Sequence, residues 1–319
     1  MSAAPVVSII IPAFNAQDSI RETLDSVLAQ TYRNLEIIVV DDGSTDATAE
    51  IVHRYEPHVR YYYQQNSGGC AVPRNNGISR STGQFICFID ADDIMLPKRV
   101  ARQVDFMEHH PEVGFTFCDY RNFDDQGPSP SSHFETCPRL WPLLNGRRNH
   151  VLERPCELLV RENFGIAGSL FVRRRVLDLA HGFEPTLRAC EDFHLYYRLA
   201  RRSPVAVINE VGMMRRLHGN NMSASALRMF SEGARSRALL RDSETDPRLR
   251  ALLSGYIADC YASLARYHAD RGDYLRAIGE DWRALQSDAR ANSAWRFCRG
   301  VTRTVAMALD VHRPRLNAG

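Results

Sequence analysis

The N-terminal part of the chain alternates between two patterns. Val6-Val7-Ser8-Ile9-Ile10-Ile11 is an almost unbroken β-branched apolar run up to Pro12. Ile20, Leu24, Val27 and Leu28 follow at helical spacing, and Leu35 to Val40 is a second apolar run. Apolar runs without alternation mark strands covered on both faces, and the order run, helix, run marks a parallel crossover. Pro12 is expected to stop the first strand, and Asp18 or Ser19 to cap the helix. The pattern continues with a helix from Asp46 to Tyr55, a strand near Val59 to Gln64, a helix from about Gly69 to Ser79, and a strand from Phe85 to Ile89. Four strands alternating with helices predict half of a nucleotide-binding α/β domain, with ligands at the carboxyl ends of its strands.

Acidic residues stand at those ends. Asp41-Asp42-Gly43-Ser44 closes the second strand and Asp90-Ala91-Asp92-Asp93 the fourth. Clustered carboxylates repel one another, a cost that falls when they share a divalent cation carrying a diphosphate. By pattern alone a solvated acidic turn before Pro97 is an equal reading. No Gly-x-Gly-x-x-Gly fingerprint and no Walker phosphate loop is present, which argues against nicotinamide cofactors and P-loop chemistry.

These segments, taken in order, resemble glycosyltransferase family 2. The resemblance rests on Ser8 to Asn15, Val39 to Asp46, Gly69 through Arg74-Asn75-Asn76-Gly77-Ile78, and Phe88-Ile89-Asp90-Ala91-Asp92-Asp93. It extends through Gly168 to Arg174, Gly182-Phe183, Glu191-Asp192 and Arg216-Leu217-His218-Gly219-Asn220-Asn221-Met222-Ser223. It implies a GT-A fold, a Rossmann-like, mostly parallel sheet flanked by helices. The implied activity is inverting transfer from a nucleotide-sugar, usually with Mn²⁺ or Mg²⁺, to an acceptor hydroxyl.

The same resemblance implies roles residue by residue. The turn Pro12, Ala13, Phe14, Asn15 lies along the nucleotide, with Phe14 flanking the base. Asp42 matches an acid that bonds the uracil ring, with Asp41 assisting or capping the next helix. Arg74 suits the base or diphosphate region. Asp90 and Asp92 divide ribose and metal contacts, Asp93 is spare, and His218 completes the metal ligands. Asp192 matches the base that takes the acceptor proton, with Glu191 beside it; by spacing alone the pair reads first as helix-dipole acids, and the resemblance reverses that ranking. Gly165 to Gly168 either admits the backbone close to a sugar or is a plain turn.

Between Asp119 and Asn163 periodicity is lost and Pro, Ser, Gly and Arg accumulate, which predicts a long acceptor-selecting loop. Leu140-Trp141-Pro142-Leu143-Leu144 is its candidate aromatic platform. Beyond Ser225 the spacing is helical: Leu227 to Leu240, Arg248 to Ala269, Tyr274 to Gln286 and Ala294 to Leu309. The expected domains are thus 1–225, split into a donor half 1–95 and an acceptor half 96–225, and an all-α appendage 226–319. One stretch around Gly272-Asp273 resembles a single tetratricopeptide repeat, and one copy cannot bury a solenoid face.

Composition narrows the picture. The 319 residues are 44% hydrophobic with a formal net charge of +2, which gives no reason to expect nucleic acid as a partner. Residues 1–95 hold six Arg and twelve acids, net −6, which suits a metal site better than a bare phosphate site. Eight Cys without a Cys-x-x-Cys pair argue against structural zinc and disulfides. From Ala291 to Gly319 five Arg face one acid, Asp310, on an amphipathic pattern suited either to packing on the protein or to an anionic membrane. Met1 to Pro5 leads straight into the first strand, and no apolar run approaches the ~18 residues of a membrane span, so the expected location is cytoplasmic, at most peripheral at the inner membrane surface. Expected partners are the nucleotide-sugar donor, most simply uridine diphosphate-linked, a glycan or lipid-linked acceptor and, through the C-terminal helices, a second copy. The alternatives are a catalytically silent nucleotide-sugar-binding adaptor, or a nucleotidyltransferase, which should carry a Gly-rich triphosphate loop that is absent here.

Overall fold

The computed structural model describes residues 4–219, 221–288, 300–302 and 304–305. The chain divides into two units at Asn221/Met222. The first unit runs β1 (Val7–Ala13), α1 (Ile20–Leu28), β2 (Leu35–Asp41), α2 (Thr48–His53), β3 (Val59–Tyr63), α3 (Ala71–Arg80) and β4 (Phe85–Phe88). It continues with β5 (Ile94–Met95), α4 (Arg99–His109), β6 (Phe115–Asp124), β7 (Gly127–Pro128), α5 (Trp141–Leu144), β8 (Asn149–Val151) and α6 (Pro155–Arg161). It closes with β9 (Leu170–Arg173), α7 (Arg174–Leu179), α8 (Glu191–Ala200) and β10 (Val205–Arg216).

The strands form one mixed sheet in the order β3-β2-β1-β4-β9-β6-β10-β5, with β7 on β6 and β8 on β10. The donor half is parallel throughout, β1 lying between β2 and β4. β9 enters antiparallel between β4 and β6, while β6 and β10 are parallel. Every residue of β1 is buried because both of its faces are covered. Ile9 and Ile11 join Leu24 and Val27 of α1 in the core on one side. On the other side α3 sits so close that a Cβ on Gly77 would fall 2.4 Å from Ile10 Cγ2.

Three local expectations change. β1 runs through Pro12 to Ala13. Ile10 is the last β1 residue in register with β4, and its carbonyl accepts from Ile89 on that side. Pro12, two residues on, turns its missing N–H to the same side, where β4 has already ended, so no ladder bond is lost. Ser19 stands at the start of α1, but its hydroxyl donates to the Ala91 carbonyl at 2.9 Å instead of capping the helix. The segment 119–163 is not one irregular loop, for it completes β6 and adds β7, α5, β8 and α6. Phe134, Leu140, Leu144 and Leu159 pin these short pieces into the interior. Buried Asp119 accepts from the Phe134 amide at 3.0 Å, and Glu162 accepts from the amides of Arg139 and Leu140, supplying bonds that no ladder provides here.

The second unit contains α9 (Ala226–Ser243), α10 (Pro247–Ala269) and α11 (Tyr274–Ser287). Ser225, Asp246 and Asp273 cap them through side chains that accept from Arg228, Arg248 and Arg276 amides. Gly272, at φ 79°, turns α10 into α11. Most of the helix expected from Ala294 to Leu309, including its apolar and basic faces, lies outside the described residues. Among the described residues no helix is long and apolar enough to cross a membrane.

Candidate active site

The carboxyl ends of β1, β2 and β4 share one edge. At the end of β1, Pro12 and Ala13 are buried, while beyond it Phe14 is exposed and Asn15 adopts a left-handed φ of 48°. Asn15 is knitted to the turn after β2: its amide donates to Ser44 Oγ at 2.9 Å and its Oδ1 accepts from the Thr45 amide at 2.8 Å. That leaves Phe14 as the projecting member of the Pro12 to Asn15 turn.

Asp41 and Asp42 are both buried, and they do different work. Asp41 accepts from the Ser44 amide and from the Tyr61 hydroxyl at 2.7 Å, which with burial raises the Tyr61 phenol. It closes its own turn, and the first amide of α2, that of Thr48, donates instead to Asp46 at 3.0 Å. Asp42 accepts from Gln64 Nε2 at 2.5 Å and from the amide and hydroxyl of Ser67. Gln64 and Ser67 were not singled out from sequence, because polar loop residues carry no periodic signal.

Arg74 is only 3% exposed, which excludes a solvated surface role. One guanidinium nitrogen donates to Asp90 Oδ1 and another to Glu191 Oε1, each at 2.6 Å, and its carbon lies 5.4 Å from the Phe183 ring centroid. The bridge joins α3, the end of β4 and the first residue of α8. Burial pushes Glu191 up to about 7 even though Arg74 pulls it down. The neighbouring Cys70 thiol is likewise pushed up to about 12 by burial.

α8 starts abruptly after Cys190, at φ 58°. Asp192, its second residue, accepts from the Phe193 amide at 2.6 Å. Because Glu191 reaches Asp90 through a single guanidinium, Asp192 belongs to the same locality as the acidic turn after β4.

In that turn Asp92 Oδ2 lies 2.9 Å from His218 Nε2. Burial and then the charge of Asp90 raise the Asp92 carboxyl, against the pull of His218. Asp93 has a structural partner: it is buried, strongly raised by burial and by Asp90, and accepts from the Arg216 amide at 2.9 Å. Arg216 Nε donates to the Asp92 carbonyl at 2.9 Å, and its guanidinium also reaches Glu22. The end of β10 is thereby stitched to the acidic turn.

Of the ligands that the resemblance implies, the structure pairs Asp92 with His218 and turns Asp90 to Arg74. Among the described residues no three His, Cys, Asp or Glu side chains converge as a metal cluster. The pair still fits a hard divalent ion in chemistry and spacing, since cis ligands at ~2.1 Å from an octahedral ion stand about 3 Å apart. The glycines before β9 serve packing. A Cβ on Gly165 would meet Phe117 Cε1 at 2.5 Å, and one on Gly168 would meet Met213 Cε at 2.9 Å.

The profile of Glycosyl transferase family 2 matches residues 8–175. An uncharacterized glycosyltransferase of Rickettsia typhi is 31% identical over 239 residues, 72% of this chain and 69% of that protein. The teichuronic acid biosynthesis glycosyltransferase TuaG of Bacillus subtilis, itself assigned provisionally, is 32% identical over 164 residues, 50% of this chain and 64% of TuaG. The crystal structure of S. aureus TarS 1–349 in complex with UDP-GlcNAc superposes at a TM-score of 0.67 and 17% identity, covering 96% of this chain and 91% of that one. With the motifs in order, the sheet built as described and a relative matched over most of both chains, this protein belongs to glycosyltransferase family 2 and has the GT-A fold.

Proposed function

We propose that the protein is an inverting, divalent-metal-dependent glycosyltransferase that moves a sugar from a uridine diphosphate donor to a hydroxyl of a cell-surface polysaccharide or lipid-linked glycan. The observation that carries this reading is the Arg74 bridge, which sets the acid pair at the head of α8 beside the acidic turn after β4. The UDP-GlcNAc held by TarS supports the donor class, and TuaG supports the acceptor class.

In this reading the acceptor oxygen forms its bond to the anomeric carbon from the face opposite the diphosphate, whose C–O bond breaks. The acceptor proton passes to the Asp192 carboxylate, and the nucleoside diphosphate leaves with the bonding electrons. One displacement inverts the centre. Asp92 and His218 would hold Mn²⁺ or Mg²⁺, which supplies positive charge to the departing diphosphate. Phe14 flanks the base, Asp42 bonds it, and Arg74 holds the carboxylates of Asp90 and Glu191 in place.

The test is a panel of nucleotide-sugars scored by melting temperature and by release of the nucleoside diphosphate, with and without Mn²⁺. The expected result is stabilisation and release with one uridine diphosphate sugar. Stabilisation without release, even with candidate glycan acceptors, would favour the silent adaptor instead.

A further inference from the structure

At its outer edge β10 is covered in two pieces. β8 pairs with Ala206 to Ile208 and β5 with Met213 and Met214, while the register shifts twice between Ile208 and Met213. At this bulge a cleft of about 240 Å³ opens, walled by Leu96, Pro97, Ile208 and Val211 and flanked by Lys98 and Arg102. Glu210 at its rim is shared between Arg148 at 2.8 Å and Arg102 at 3.5 Å, and these with Lys98 hold its carboxyl below the usual range. Three cations thus face one carboxylate.

The adjoining segment 138–154 adds Arg139 and Arg147 to that excess, against Glu153, while its Arg154 pairs with Glu157. The same segment exposes large apolar side chains: Trp141 is 41%, Leu143 45% and Val151 39% accessible. It is firmly held, since Leu140, Leu144 and Leu152 are buried beneath it and Asn209 bonds the carbonyls of Arg147 and Arg148. β8 pairs with the start of β10, on the order of 25 Å from the His218 end of that strand. β8 itself is therefore remote from that end of the strand.

We infer that the segment 138–154 and the cationic cleft beside it form a contact surface for an anionic lipid bilayer. Cations meet lipid phosphates, while Trp141, Leu143 and Val151 enter the boundary between headgroups and acyl chains. A soluble polyanion would satisfy the arginines and leave these three side chains in water, so the bilayer is the occupant that uses the whole surface. The surface lies within the first unit.

The test is sedimentation of the full chain with vesicles of phosphatidylcholine alone or mixed with phosphatidylglycerol. The expected result is binding to the anionic vesicles only, reduced at least roughly tenfold in Trp141→Ser/Leu143→Ser and in Arg139→Ser/Arg147→Ser. In a Trp282→Phe/Trp295→Phe background Trp141 is the remaining tryptophan, and its emission should shift to the blue on anionic vesicles. Circular dichroism checks that each variant is folded. Unchanged binding by both folded double variants, or no shift in emission, would overturn the inference. Retention by dextran sulfate without vesicle binding would also overturn it, in favour of a polyanion.

Discussion

Arg74 and Glu191, 117 positions apart in the chain, meet at 2.6 Å in a region closed to solvent. A buried guanidinium with two carboxylate partners is costly to desolvate and more costly to break. Removing it leaves charge with no compensation.

Arg74→Met should therefore destabilise the protein by about 3–5 kcal/mol in urea unfolding. Adding Glu191→Gln should recover at least about 1 kcal/mol of that loss, because the uncompensated carboxyl is gone. Additive losses in the double variant would show that the pair is not coupled.

Glu191 also predicts a pH dependence. Its carboxyl stands at about 7 in the folded state against 4.5 when free, so the folded chain binds the proton more tightly. This group favours folding fully below about 4.5 and loses that contribution as pH rises to about 7, up to roughly 3 kcal/mol in all. Glu191→Gln has no such titration. The stability of wild type relative to Glu191→Gln should fall between pH 4.5 and 7, and a flat difference would refute the shift.

Metal dependence should reside in Asp92 and His218. Asp92→Ala and His218→Ala should each lose the extra rise in melting temperature that Mn²⁺ gives in the presence of uridine diphosphate, and chelation should remove the same increment from wild type. An increment that survives in both variants would place the ion elsewhere.

Asp192→Asn should keep donor binding and lose transfer by at least about 100-fold, since amide nitrogen cannot take the acceptor proton. Near-normal turnover with unchanged donor affinity would reassign the base.

The strands of the donor half were legible because burial on both faces leaves no room for polar residues, as in Ile9-Ile10-Ile11 and Ile37 to Val40. The helices after Ser225 were legible from their helical spacing, while the caps at Asp246 and Asp273 emerge from the structure. The segment 119–163 was not, because its elements are as short as two residues and are held by Asp119 and Glu162 rather than by repeating contacts. At the site, residue types and spacing pointed to the acidic turns, to Glu191-Asp192 and to His218. They could not tell which carboxylate Arg74 would choose or that Asp93 would turn inward to the Arg216 amide, since such pairings depend on distant parts of the chain.

Arg216 joins the acidic turn through its own amide and its side chain, and His218 lies only two residues further on. The imidazole and Asp92 are therefore aligned when the chain folds, before any ion arrives. For the proposed metal ion, much of the ordering entropy of capture would thus be met in advance. A metal ion should find a socket already shaped for it, and affinity should respond sharply to any insertion that lengthens the short path between residues 216 and 218.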